Sequence, residues 1–481
     1  MKLSLSWIKD FVNIPEDMDM KQLAYDLTMD TVEVEDVEYL ADRFDHMVVG
    51  VIEDIEPHPN ADKLRVCKVD IGDGEIKDIV CGGINLEKGM RVAVSCPGAI
   101  VRWHGEGKPV EIKKSKLRGV ASYGMICASD EIGLGDLFPA SQEAEILDLS
   151  AFDVPAGTTL ADALDLNDVL LEIDNKSMTN RPDLWGHYGI AREIAALYNL
   201  PLAEIKPFET DVQSDFNVEI ADPDRCPRYI GVEMSDHIVV RHAAENEKLL
   251  LLNDKELSLC TDDLVITDSE GPVALAGVMG GAKDSILPKT ERVIREVANF
   301  EAAGIRRTAL RYDNRTEASS RYEKAIDPER CGQALALSMQ YFKELYPEMK
   351  VTGYCDKYVK KLKRAEIDVN LVWLEKRLGK HLTNDEIQGK LEKLGFDVQI
   401  NGEDMHVIAP TWRSTGDISI KDDVMEEVAR MYGYDNFEPT SFTTTFDSAI
   451  NQKDQDLVRN MKEFLAIRCG MQEIYTYPWV N

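Results

Sequence analysis

Three groups of residues carry side chains that could do chemistry together. Asp417, Asp423, Glu426 and Glu427 stand in WRSTGDISIKDDVMEEVARMYG. On a helix the last three occupy positions i, i+3 and i+4, so their carboxylates share one face. Val424, Met425, Val428 and Met431 supply the opposite, buried face. Asp417 lies just upstream, within reach of the same point. Convergent carboxylates suit Mg²⁺, a hard ion that wants oxygen ligands and keeps several waters. The simpler alternative is a solvated helix start, where acidic side chains meet the positive end of the helix dipole.

The second group is basic. Residues 91–121 hold Arg91, Arg102, Lys108, Lys113, Lys114, Lys116 and Arg118 against only Glu106 and Glu111. Upstream stand HPNADKL (58–64) and CGGIN (81–85). A cationic strip on a small barrel suits the phosphates of a nucleic acid. Lysines on an edge strand also serve to block aggregation.

The third group is VALAGVMGGAKDS (273–285), VIREVANFEAAGIRRTALR (293–311) and RTEASSRYEKAIDPER (315–330). Ala276, Gly277, Gly280 and Gly281 let a ligand approach the backbone. Glu296 and Thr316 can hydrogen-bond a polar substrate group. The bland alternative is a Gly-rich turn and a surface glutamate. No Ser-His-Asp or Cys-His order is present, so a covalent nucleophile is not indicated.

These groups need elements to position them. LSLSWIKDFV has helical spacing and MDTVEVEDVEYL alternates like a strand, so residues 1–39 read as a small α/β start. From Met47, VVGVIEDIEPH, LRVCKVDIG, IKDIVCGG, RVAVSCPGAIV and EIKKSKLRGV are short runs broken by Gly, Pro and Asn. They predict a small β-barrel that ends near Asp130–Gly135. Helical periodicity returns in 152–200, with Ile190, Ile194, Leu197 and Tyr198 on one face and Pro201 as the stop. Strands dominate from Asn217 to Tyr354, with helices expected over VANFEAAGIRRTALR and GQALALSMQYFKELY. Lys360, Lys361, Lys363 and Arg364 form a basic linker. Residues 366–440 alternate strand and helix, and QDLVRNMKEFLAIRCGMQEIYTY predicts a helix running into a strand.

The chain has 481 residues and a formal net charge of -32. That length predicts roughly three to five domains. An all-over basic nucleic-acid coat is excluded, whereas a local patch is not. The nine cysteines include no C-x-x-C pair, which argues against a disulfide framework or zinc ribbon. No apolar run approaches the roughly 18–20 residues of a bilayer span. The N-terminus meets Asp10 too early for a signal peptide, so a cytoplasmic location is expected.

Taken together, SWIKDFV, HPNADKL, TNRPDLWGHYGIAREIAAL, LAGVMGG, ASSRYEKAIDP and WRSTGDISIKDDVMEEVARMYGYDN resemble the β subunits of bacterial phenylalanyl-tRNA synthetases, over nearly the whole chain. The resemblance implies a multi-domain α+β protein. Residues 1–39 and 152–200 would form one split domain, with an OB-fold tRNA-binding barrel (40–151) inserted. A mixed α/β editing-type domain (205–360), a small α+β domain of the B5 kind (366–440) and the opening of a class II synthetase-like domain (441–481) would follow. The resemblance also implies an aminoacyl-tRNA synthetase in an α₂β₂ heterotetramer. In that assembly the α subunit uses ATP to attach phenylalanine to tRNA(Phe). The β subunit supports α, binds tRNA and hydrolyses mischarged tyrosyl-tRNA.

Residue by residue, Asp417, Asp423, Glu426 and Glu427 fall on the family's Mg²⁺ positions at the α contact. Ala276, Gly277, Glu296, Thr316 and Ala318 fall on editing-pocket positions. In the barrel, Lys113, Lys114, Lys116 and Arg118 are the expected tRNA contacts. Neither a membrane nor DNA is implied as a partner. Two departures stand out. Only Ser235, Asp236 and His237 bridge RYIGVEM and IVVRHA, where the family carries a few dozen more residues, including a pocket histidine. The sequence also stops at Asn481, short of the family's C-terminal part. Two alternatives are a free tRNA-binding module using only the barrel, and a stand-alone deacylase using 205–360.

Overall fold

The structure is a computed structural model. It describes the chain except residues 213–216, 233–237, 284, 288, 440, 442–443, 446–451 and 477–481. Two units separate by contact, Met1–Tyr434 and Asp435–Asn481.

The first sheet has three antiparallel strands, with Val169–Ile173 between Lys2–Ser4 and Val34–Tyr39. Leu171 is paired with Leu3 on one side and Val37 on the other. Helices Met20–Asp30 and His187–Tyr198 cover this sheet, burying Leu23, Leu27, Ile190 and Ile194. Their apolar residues recur at helical spacing, so one stripe of each faces the sheet. Asp19 caps the first helix through Lys21 N–H at 2.9 Å. Asn199, in the left-handed region at φ 53°, ends the second.

Between the strands of that sheet the chain builds a barrel. Its antiparallel order is Met125–Ile126, Arg91–Ser95, Met47–Pro57, Arg65–Asp70, Ile76–Cys81. Tyr123 N–H donates to the Asp78 carbonyl at 2.8 Å, which joins the two edges and nearly closes the sheet. Alternate residues Ile52, Val69, Ile79, Val92 and Val94 fill the interior. At Gly50 a Cβ would meet Val94 and Val69 side chains at 2.6 and 2.7 Å, so side chains of both flanking strands fill the space that glycine leaves. The barrel runs further than Asp130–Gly135. Leu149 N–H donates to Arg91 O, and Val49 N–H to Thr158 O, both at 2.8 Å, so the segment to Thr159 is stitched to the barrel strands.

The next block has two sheets. One orders Val218–Ile220, Ile238–His242, Leu264–Thr267, Pro272–Leu275 and Met279–Gly280; the other places Arg228–Val232 between Arg295–Asn299 and Tyr354–Tyr358. Helix Arg330–Leu345 packs Leu335 and Met339 on Ile230 and Val232 of the second sheet. The helix expected over VANFEAAGIRRTALR starts only at Ala302. Val297 and Ala298 pair in the sheet instead, and Glu301 caps the helix by accepting from Ala303 and Gly304 N–H at 2.9 and 2.7 Å.

The following domain is a three-stranded sheet with Asp404–Ile408 between Glu366–Asn370 and Asp397–Asn401. Helices Leu371–Leu378, Asn384–Lys393 and Lys421–Tyr432 accompany it. Thr383 and Glu386 form a capping box at the middle helix. In the second unit, helix Lys453–Cys469 is closed by Gly470 at φ 66°, and the described residues after it form no strand. A strand needs a neighbour to take its N–H and C=O groups. Among the described residues no helix is long and apolar enough to cross a membrane.

Candidate functional site

The basic strip is a hairpin on the barrel surface. Strand Ser115–Leu117 pairs with Val120–Ser122, and Lys113, Lys114, Lys116 and Arg118 are all exposed. The turn needs Arg118 at φ 46° and Gly119 at φ 95°. Asn60, from HPNADKL, donates to the Arg118 carbonyl at 2.9 Å, and His58 Nε2 meets the Leu117 carbonyl at 3.1 Å. The motif upstream therefore holds the hairpin in place. Lys114 and Lys77 lie over the Tyr123 ring at 4.9 and 5.1 Å. Lys113 pairs with Glu111 at 2.9 Å. The hairpin flanks a cleft of about 810 Å³ that also includes Trp103, His104 and Glu131.

The acidic residues behave differently from a metal cluster. Asp417, Asp423, Glu426 and Glu427 all line one cleft of about 410 Å³ between the first domain and helix Lys421–Tyr432. Glu427, however, is 3% exposed. Arg413 holds it with two bonds of 2.8 and 2.7 Å, and Arg430 with two of 3.0 and 2.6 Å. Burial by itself would push the Glu427 carboxyl up; the two guanidiniums overcome this and hold it well below the usual carboxylate range. Asp417 is bonded by Arg413 and lies 3.8 Å from Arg181. Burial outweighs those cations and raises its carboxyl. Asp423 reaches back to Ser419 and Ile420 N–H at 2.7 and 2.9 Å, where it caps the helix. Among the described residues no group of three or more His, Cys, Asp or Glu is placed to hold a metal ion. Of the four expected ligands, Glu427 is engaged by Arg413 and Arg430 and Asp417 by Arg413.

Those arginines were not singled out from the sequence. Arg430 also donates to Glu193 at 2.8 Å, Arg181 donates to Glu193 at 2.6 Å, and Arg181 grips Asp183 with two bonds of 2.9 Å. Arg192 lies 4.0 Å from Asp183 and stacks 4.1 Å over the Trp412 ring. A buried chain of alternating charge thus joins the first domain to the helix. The available signal was Arg192-Glu193 in the middle of the apolar helix IAREIAAL.

The third group is drawn partly together. Ala276 is buried, and Gly277 turns the chain at φ 66°, where a Cβ would meet Ile305 and Phe300 at 2.9 and 3.0 Å. The Thr316 hydroxyl donates to the Val278 carbonyl at 2.8 Å and accepts from Ser319 N–H at 3.1 Å. Its oxygen thus caps helix Glu317–Tyr322 while its proton goes to Val278. Ala318 is exposed on the same turn. Glu296 faces Gly231 in the sheet and accepts from the Tyr229 hydroxyl at 3.3 Å. Burial pushes its carboxyl up to about 7, against smaller opposing effects of Tyr229 and Arg295. Ser235, Asp236 and His237 lie outside the described residues.

Family models match three segments: a putative tRNA binding domain (47–158), a B3/4 domain (230–347) and a tRNA synthetase B5 domain (367–434). The descriptions of two of these models point to tRNA binding and to tRNA synthetases. It is 32% identical over 539 residues to the phenylalanine–tRNA ligase beta subunit of Oceanobacillus iheyensis, covering 100% of this chain and 65% of that one. The beta subunit from Fusobacterium nucleatum is 32% identical over 538 residues, with the same coverages of 100% and 65%. A solved N-terminal fragment of the Pyrococcus horikoshii phenylalanyl-tRNA synthetase beta subunit is 18% identical. It covers 55% of this chain and 88% of that one, with a TM-score of 0.34. The chain is thus similar over its whole length to phenylalanine–tRNA ligase beta subunits, and it spans about 65% of the length of the curated relatives it matches.

Proposed function

We propose that this chain acts as the β subunit of a phenylalanine–tRNA ligase. In this reading it binds tRNA(Phe) and supports an α subunit that carries ATP-dependent aminoacylation, in an α₂β₂ assembly. The observation that carries it is the exposed hairpin with Lys113, Lys114, Lys116 and Arg118, set on a barrel whose family model is a tRNA-binding domain. Four cations on one protruding edge can neutralise phosphates even though the chain as a whole is at -32. Filter binding of tRNA(Phe) across a salt series tests it. Replacing Lys113, Lys114 and Lys116 by Glu should weaken binding and flatten its salt dependence; unchanged affinity overturns the reading.

For Mg²⁺ the donor set fits through Asp423 and Glu426 only, since Arg413 and Arg430 occupy Glu427, and Arg413 occupies Asp417. A bound Mg²⁺ would offset the repulsion between these carboxylates and leave positions for oxygens of α. Editing of tyrosyl-tRNA is weak in this reading. Glu296 is retained, but the Thr316 hydroxyl donates to Val278 and accepts from its own helix, and small misplacements can cost on the order of 10²-fold in rate. Robust tyrosyl-tRNA hydrolysis that Glu296→Ala abolishes would favour the deacylase alternative.

A further inference from the structure

The cleft of about 810 Å³ beside the hairpin is not explained by phosphate contacts. Its volume falls within the range of small-molecule sites. Its floor is apolar, with Ile112 and Ile126 buried. At its rim Trp103 is 51% exposed, an unusual state for so large an apolar ring. The hairpin contributes in alternation: Lys113, Ser115 and Leu117 line the cleft, whereas Lys114, Lys116 and Arg118 do not.

Acids predominate in the lining of the cleft: Lys113 is the one hairpin cation that lines it, beside Glu131 and Glu143. The other acids there are largely committed: Glu111 to Lys113 at 2.9 Å, and Glu145 to Ser141 and Gln142 N–H at 2.6 and 3.1 Å. Asp130 also lines the cleft. Glu131 accepts from Ala128 N–H through one oxygen at 2.8 Å. The acids that line the cleft repel a phosphate, which the exposed lysines outside it attract, so the cleft itself suits a ligand that is flat, apolar-faced and donor-edged.

We propose that the cleft receives one unpaired nucleobase, cytosine or adenine, bearing an exocyclic amino group where uracil and guanine carry a carbonyl, while the adjoining phosphates pass over the lysine hairpin. This rests on the tRNA-binding reading above and names the part of the nucleic acid that the barrel takes. The base stacks on Trp103. Its amino group donates to the carboxylates, as acidic side chains accept from cytosine N4. Uracil presents a carbonyl oxygen there, which the acids repel. A base inside a duplex has this edge occupied and cannot enter.

The test is fluorescence-anisotropy titration of the full chain with labelled RNA oligonucleotides of about eight nucleotides, within the site size of such barrels. Oligo(C), oligo(A), oligo(U) and a duplex are compared at one salt concentration. Oligo(C) and oligo(A) should bind roughly tenfold tighter than oligo(U) or duplex. Trp103→Ala should remove about tenfold of that affinity without changing the salt slope, and Trp103→Phe should keep most of it. Glu131→Gln with Glu143→Gln should shrink the preference for oligo(C) over oligo(U). Trp103 is exposed, so these variants keep the core intact, which circular dichroism checks. If Trp103→Ala binds like wild type while the triple lysine variant loses affinity, the cleft is not a base site and the tRNA-binding reading survives. If neither variant changes binding, both readings fail.

Discussion

Arg430 and Glu193 stand 237 residues apart in sequence and meet at 2.8 Å in the interior. Each has a second partner, Glu427 for Arg430 and Arg181 for Glu193. The contact therefore closes a chain of charges that fastens helix Lys421–Tyr432 to helix His187–Tyr198. Buried charges of this kind are costly when one member is lost, because the survivor keeps its desolvation penalty.

Arg430→Met removes one of two arginine partners from each of Glu193 and Glu427, leaving Arg181 and Arg413. The expected destabilisation is about 3–5 kcal/mol, measured by urea unfolding. In a double-mutant cycle with Glu193→Gln the coupling should exceed about 1 kcal/mol. Additive effects would show that the two groups do not sense each other.

Acid should loosen the same junction. The folded-state pKa of Glu427 is held well below the ordinary value of 4.5. Its contribution is therefore complete above about 4.5 and is lost as pH falls through the folded value. Wild-type Tm should drop between pH 5 and 3 more steeply than that of Glu427→Gln. Parallel curves would remove Glu427 from the account.

Glu296 carries the opposite sign. Its carboxyl is raised from 4.5 to about 7. The stability it supplies is present below about 4.5 and is lost as pH rises through about 7, up to about 3 kcal/mol. Glu296→Gln should gain on wild type between pH 5 and pH 8 in thermal melts. A difference between the two proteins that stays constant with pH contradicts the shift.

Gly277→Ala should destabilise by about 1–3 kcal/mol. The added methyl would sit 2.9 Å from Ile305 and 3.0 Å from Phe300, on a backbone at φ 66° that favours glycine. Calorimetric melting of the variant reads this directly.

Asp423 and Glu426 separate capping from cation binding. Asp423→Ala removes the bonds to Ser419 and Ile420 N–H and should cost about 0.5–2 kcal/mol. Glu426→Ala should leave stability unchanged. On the proposed β-subunit reading, both should reduce Mg²⁺-dependent association with an α subunit in calorimetry. Equal association in Mg²⁺ and in EDTA would show that neither residue holds the ion.

Much of this was legible in the sequence. Period-two runs broken by Gly and Pro located the barrel strands, and helical spacing located His187–Tyr198 and Lys421–Tyr432. Short apolar runs were less clear: VANF satisfies either period, and only its pairing with Arg228–Val232 decides for a strand. The acidic helix shows the limit most plainly. Spacing put three carboxylates on one face but could not say what that face meets. The answer lies partly in Arg181 and Glu193, which become neighbours only after the chain has folded back over more than two hundred residues.

The first sheet has a consequence for how the chain is born. Its central strand, Val169–Ile173, follows the outer strand Val34–Tyr39 by about 130 residues, yet Tyr39 and Val169 are paired. At roughly 5–20 residues per second, a ribosome needs on the order of ten seconds to deliver the missing strand. During that interval Leu3, Leu23 and Leu27 have no Leu171 or Ile173 to pack against. The barrel emerges complete within the same interval and can fold first. The split domain is thus finished only after the guest it carries, so slowed translation before Val169 should lengthen the exposure of its unfinished core to proteases and chaperones.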